Sequence, residues 1–159
     1  MMKNNILKML FLFLALGIFM SSCYKEERWT EENTEVLGYY PLIAAYSISP
    51  TGETTSGTEL QLDLRFWCTD PIKEIIFYPE LGGMALDSVI VPYSQAAYSN
   101  VSLTDSILVS YTAPTVVDTT LSLVINAKVI AENGLSRITS SSGRWYRNYT
   151  KPVTVTVKP

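Results

Sequence analysis

The residues best equipped for chemistry lie in one short stretch, Arg144-Trp145-Tyr146-Arg147-Asn148-Tyr149. Trp and Tyr offer flat apolar faces with a polar tip, and Arg and Asn add hydrogen-bond donors, a combination that can grip a sugar ring or a partner surface. Trp67 joins them as a candidate ligand-binding residue, because the alternation of its segment points a large ring outward. The competing reading is structural: aromatics near strand ends cap the open end of a sandwich, and arginines neutralise an acidic body. Charge is segregated in the same place. Residues 135–159 hold Arg137, Arg144, Arg147, Lys151 and Lys158 and no acid, whereas residues 41–134 hold ten acids against Arg65, Lys73 and Lys128. The overall charge of −3 argues against a nucleic-acid partner, while the local basic and aromatic patch suits a glycan or a protein.

Other chemistry is excluded by composition. The chain has no histidine, which removes Ser-His-Asp and Cys-His nucleophile arrangements, histidine-bound zinc and the usual general base near neutral pH. The two cysteines, Cys23 and Cys68, are too few for a thiolate metal site. Adjacent acid pairs occur only at Glu26-Glu27 and Glu31-Glu32, in a segment with nothing rigid to hold them. No calcium loop, phosphate-cradling glycine loop or dinucleotide fingerprint appears. The expectation is a protein that is not an enzyme, with no cofactor and no metal.

The elements that must position the candidate residues are strands. Leu60, Leu62, Leu64, Phe66 and Cys68 alternate with Gln61, Asp63, Arg65 and Trp67, the period of a half-buried strand. Cys68 therefore points inward and acts as a small hydrophobe. Leu121 to Val129 and Val153 to Val157 repeat the pattern, and Leu42 to Ser49, Ile72 to Tyr78, Ser88 to Tyr93 and Ser106 to Thr112 complete seven strands. Turn chemistry separates them: Pro50-Thr51-Gly52 with a polar run to Gly57, Asp70-Pro71, Gly82-Gly83, Ser99-Asn100, Ala113-Pro114 and Asn133-Gly134. Only Gln95 to Tyr98 offers a helical turn. About seven short strands in one domain predict an all-β, antiparallel β-sandwich, although a closed barrel or a transthyretin-like sandwich would read similarly. One connection is oversized. Leu135 to Thr139 extends the sandwich through an Asn-Gly hairpin, and Ser140 to Pro152, which carries the candidate cluster, remains as an excursion. Trp29, Tyr39 and Tyr40 are read as strand-entry packing.

The amino terminus is an export signal. Lys3 and Lys8 precede an apolar run from Met9 to Met20, too short to span a bilayer core, and Ser21, Ser22 and Cys23 follow. Small residues abutting a cysteine resemble the lipobox of bacterial lipoproteins, with Met20 standing where that motif usually has Leu. The resemblance implies a signal peptide over 1–22, lipidation of Cys23, an acidic tether over 23–40 and the β-sandwich domain over 41–159. The alternative is a secreted protein cut near Ser22 with Cys23 free. Several acyl chains would hold such a protein to a membrane almost permanently. Tyr24-Lys25-Glu26-Glu27 resembles the sorting signal of Bacteroidota-type surface lipoproteins, and Asp87-Ser88-Val89, Asp105-Ser106-Ile107 and Asp118-Thr119-Thr120 resemble O-glycosylation sites of the same bacteria. Both imply a cell-surface position on the outer membrane, with the periplasmic face as the alternative.

The order of strands resembles the immunoglobulin-like domains of surface lipoproteins, with Leu60 to Cys68 as second strand, Ile72 to Tyr78 as third, Leu121 to Ile130 as sixth and Val153 to Val157 as last. It lacks the cysteine pair and core tryptophan of antibody domains. The expected function is a non-catalytic binding or accessory module for a glycan or an outer-membrane protein. A fimbria-like or surface-assembly component is the alternative, with Val153 to Val157 or Leu42 to Ser49 pairing to a neighbour's sheet edge.

Overall fold

The structure, a computed structural model, describes residues 37–93, 98–140 and 150–159. Every regular element among them is a strand: β1 (Leu42–Ser49), β2 (Gly52–Thr55), β3 (Glu59–Trp67), β4 (Ile72–Leu81), β5 (Met84–Ala85), β6 (Val89–Pro92), β7 (Asp105–Thr112), β8 (Leu121–Ala131), β9 (Ser136–Ile138) and β10 (Val153–Lys158). All seven expected strands are present. The Asn-Gly hairpin also forms, with β9 folded back on β8 so that Lys128 faces Ile138.

The strands build two sheets. One has the order β1-β3-β7 and is wholly antiparallel. The other runs β2-β10-β8-β4-β5, with β6 also on β4 and β9 also on β8. In the letter order of an immunoglobulin sandwich, β1, β3 and β7 stand at A, B and E, while β8, β4 and β10 stand at F, C and G. The chain is an immunoglobulin-like β-sandwich by this connectivity. Strand β4 turns back through Gly82-Gly83, where Leu81 faces Met84 of β5 across a two-residue turn with both φ angles positive. That geometry suits residues without a Cβ.

Period two fills the space between the sheets. Leu60, Leu62, Leu64 and Phe66 of β3 are completely buried, as are Ile75 and Phe77 of β4 and Leu123, Ile125, Ala127 and Val129 of β8. Val155 and Val157 close the core from β10. All core members fall between Ile43 and Val157, inside the compact unit Leu37–Pro159, so this unit carries its own core. Burial of each large aliphatic or aromatic side chain contributes about 1.5–3 kcal/mol.

Three expectations are corrected. The polar run after Pro50 is not only a turn: Gly52–Thr55 forms β2 and pairs parallel with Val155–Lys158. Ser49-Pro50 is a cis peptide, at the point where the chain leaves the first sheet for the second. Val153 to Val157 is not a free edge, because β10 is flanked by β2 and β8. Tyr39 and Tyr40 do not pack at the strand entry. Both rings are exposed, because the backbone is what docks there: the Tyr39 amide donates to Asp70 Oδ2 at 2.6 Å, and Asn133 Nδ2 donates to the same oxygen at 2.6 Å and to the Tyr39 carbonyl at 3.3 Å. Gly38 passes this cluster with φ of +114°, and a Cβ there would collide with the Asp70 carboxylate and the Asn133 amide.

Candidate functional site

Trp67 ends β3 on its outer side and stands directly opposite Leu42 of β1. A register shift between Ile43 and Ala45 leaves Ala44 as an extra outward residue beside that pair. Trp67 is 41% exposed, whereas its neighbour Phe66 is wholly buried. The outward reading of Trp67 is therefore what the strand produces.

The far wall comes from the chain before β7. Ser99 ties this segment into a closed loop: its amide donates to the Thr104 carbonyl at 2.9 Å, its carbonyl accepts from the Leu103 amide at 2.8 Å, and its Oγ accepts from the amides of Val101 and Ser102. Ser102 Oγ and Thr104 Oγ1 share a further bond at 2.8 Å. The closure holds Leu103 at φ of +53°, a left-handed conformation that costs a residue with a Cβ about 1–2 kcal/mol. With Tyr98, Leu103 and Thr104 facing Leu42, Ala44 and Trp67, the two walls enclose an open hollow of about 490 Å³.

Among the described residues no charged side chain lines this hollow, and the Ser102 and Thr104 hydroxyls bond each other. Its described lining offers apolar and aromatic contact. It is suited to stacking against a flat, weakly polar face such as the C–H side of a sugar ring. A second depression of about 360 Å³, lined by Glu53, Thr54, Thr55, Thr58 and Lys158, is taken up by its own contacts. Lys158 pairs with Glu53, and Thr55 Oγ1 bonds Thr58 Oγ1 at 2.9 Å.

Of the sequence-derived site residues, only Trp67 falls within the described residues. Cys23, Arg144, Trp145, Tyr146, Arg147, Asn148 and Tyr149 lie outside them, as does most of the tether. The two described residues that flank the 141–149 segment are placed, however. The Ser140 amide donates to the Thr150 carbonyl at 3.1 Å, and Thr150 Oγ1 donates to the Ile43 carbonyl at 2.7 Å. Ile43 stands between Leu42 and Ala44, so Thr150 is held on β1 next to two residues that line the Trp67 hollow.

Cys68 is half-buried against the core, and its Sγ donates to the Tyr39 carbonyl at 3.6 Å. Burial pushes its thiol up, and the nearby Asp70 charge adds to this against opposing backbone hydrogen bonds, so it is a packing residue at neutral pH. Burial likewise raises the phenols of Tyr46 and Tyr111, and burial with the Asp105 charge pushes Tyr93 up to about 12. Among the described residues no group of three His, Cys, Asp or Glu gathers closely enough to hold a metal ion. Ser88 and Thr119 of the candidate glycosylation sites are exposed, whereas Ser106 is half-buried on β7.

Leu42, Ala44, Tyr98 and Leu103 were not singled out from sequence. The first two carry a weak signal, since they share an alternation phase opposite to buried Ile43. Leu103 carries none.

No family model matches the chain, and no curated protein matches it. Solved structures that resemble it include the CARDB domain of a protein from Pyrococcus furiosus, in complex with di-metal ions. That likeness has 11% identity and a TM-score of 0.45 and covers 79% of this chain and 99% of the other. At that level nothing about metal binding passes to this chain.

Proposed function

We propose that this chain is a lipoprotein anchored through Cys23 in the outer membrane, displayed at the cell surface, whose sandwich binds a glycan or an outer-membrane protein and catalyses nothing. The binding face is the Trp67 hollow together with Arg144, Trp145, Tyr146, Arg147, Asn148 and Tyr149. One observation carries this reading: Thr150 roots the aromatic and basic segment on Ile43, next to the hollow. The described residue that follows the segment, Thr150, is thereby held on β1 between two residues that line the hollow. The hollow supplies apolar and aromatic surface from its described residues, and the segment adds aromatic faces together with donors and positive charge.

The test is titration of the chain from Tyr24 onward with a glycan panel while tryptophan fluorescence is followed. Trp67→Ala and Trp145→Ala each abolish the response if the two form one face. A response that survives both substitutions would move the site elsewhere. Anchoring is checked separately: Cys23→Ala releases the protein from the membrane fraction, and retention there would refute lipidation.

A further inference from the structure

The three-stranded sheet has two edges of equal length, and only one is well guarded. The β1 edge is interrupted by the register shift at Ala44, has its Ile43 carbonyl occupied by Thr150 and ends in Pro50. In the other sheet β2 is a four-residue edge marked by the Glu53–Lys158 ion pair, β5 has two residues, and β6 ends in Pro92. These are the devices by which sheets discourage strand addition. The β7 edge has only one such device, the core-side charge of Asp105 at its first residue. Its eight residues, Asp105–Thr112, pair with Phe66–Glu59 without a single shift, and they contain no proline, glycine or lysine. Among the described residues nothing pairs with its outer side. Leu108, at its middle, is 68% exposed on the outward face.

We infer that this edge pairs with the same edge of a second copy, antiparallel about a two-fold axis through Leu108, so that two three-stranded sheets become one of six strands. The register follows from charge and face. Side chains directly opposite in an antiparallel pair lie on the same face, so residues of like parity must meet if both outer faces are to stay outside. Centring on Leu108 sets Leu108 against Leu108 and Ser106 against Ser110 on the outside, with Ile107 against Val109 and Asp105 against Tyr111 on the core side. The sole charge of the strand then faces a phenol instead of its own copy, and the most exposed apolar residue is covered by itself. A peptide strand of another protein would satisfy the same backbone groups, but it lacks this self-matching. An axis through the sheet plane keeps both outer faces on one side, so two Trp67 hollows open in the same direction. That arrangement is suited to bivalent capture on a repetitive surface.

Sedimentation of the chain from Tyr24 onward over a wide concentration range tests the pairing. A monomer–dimer equilibrium is expected, and Leu108→Lys, which sets two ammonium groups on the axis, weakens it at least about 100-fold. Because Leu108 is exposed, the substitution leaves the circular dichroism spectrum near that of the parent, and the melting temperature too at concentrations where the parent is monomeric. Register is read by mild oxidation: Leu108→Cys forms a covalent dimer, while Ser106→Cys and the parent, with its half-buried Cys68, do not. A protein that stays monomeric, a dimer that survives Leu108→Lys, or bridging at Ser106→Cys in place of Leu108→Cys would each overturn the proposal.

Discussion

Phe66 and Trp67 are consecutive aromatics on one strand with opposite fates. The inward face of β3, Leu60, Leu62, Leu64 and Phe66, is wholly buried against β4 and β8. The outward face begins with Glu59, Gln61, Asp63 and Arg65, where Gln61 Nε2 donates to Ser110 Oγ at 2.8 Å and Arg65 pairs with Asp63 at 3.4 Å. It then breaks its polar pattern at Trp67. A face whose only large apolar member stands beside a hollow is not organised for folding alone. The comparison teaches that the two faces of one strand can be assigned different work, the inner one to stability and the outer end to recognition.

If that division holds, truncating the two aromatics has unequal consequences. Phe66→Ala is expected to cost about 3–5 kcal/mol of unfolding free energy in urea or guanidinium titration, because it removes a ring from a closed core and leaves a cavity. Asp70→Ala, just beyond the strand, loses the acceptor shared by the Tyr39 amide and Asn133, and should cost about 1–3 kcal/mol in the same measurement. Trp67→Ala should cost only about 0.2–1 kcal/mol, the worth of its cross-strand contact with Leu42, while eliminating the ligand response. A loss as large as that of Phe66→Ala would break the comparison by making Trp67 a folding residue.

The smallest effect at neutral pH concerns Tyr46, which packs inward opposite Leu64 with its hydroxyl buried and no hydrogen-bond partner among the described residues. Tyr46→Phe should change stability by no more than about 0.5 kcal/mol. Its signature lies at alkaline pH. The fold keeps Tyr46, Tyr93 and Tyr111 protonated above the usual phenol value of about 10, so the unfolded chain gives up protons first. Their stabilising contribution is complete below about pH 10 and is lost as pH rises toward and through the raised folded values. Tyr46→Phe should shift the alkaline unfolding midpoint to higher pH, followed by far-ultraviolet circular dichroism.

Legibility followed the range of the interactions. The seven expected strands and the Asn133-Gly134 hairpin were readable because alternation and turn residues act over a few positions. β2 was not, since Gly52-Glu53-Thr54-Thr55 is polar and is a strand only through parallel pairing with Val155–Lys158, about a hundred residues later. Trp67 was legible as outward-facing, but its company was not. Leu42 comes opposite it only through the β1–β3 register, and Leu103 reaches the hollow in a left-handed conformation with no glycine to announce it.

From the order of residues alone come an all-strand sandwich, the inward phase of β3, β8 and β10, and the absence of histidine chemistry. These depend on side-chain type and on the two-residue repeat of an extended backbone, both local properties. Tertiary structure decided which edges are covered, that β10 lies inside its sheet, that Thr150 is held on Ile43 and that Leu42 stands opposite Trp67. Each of these depends on a hydrogen-bond register between segments far apart in the chain, and a one-residue slip in any such register turns every side chain to the opposite face.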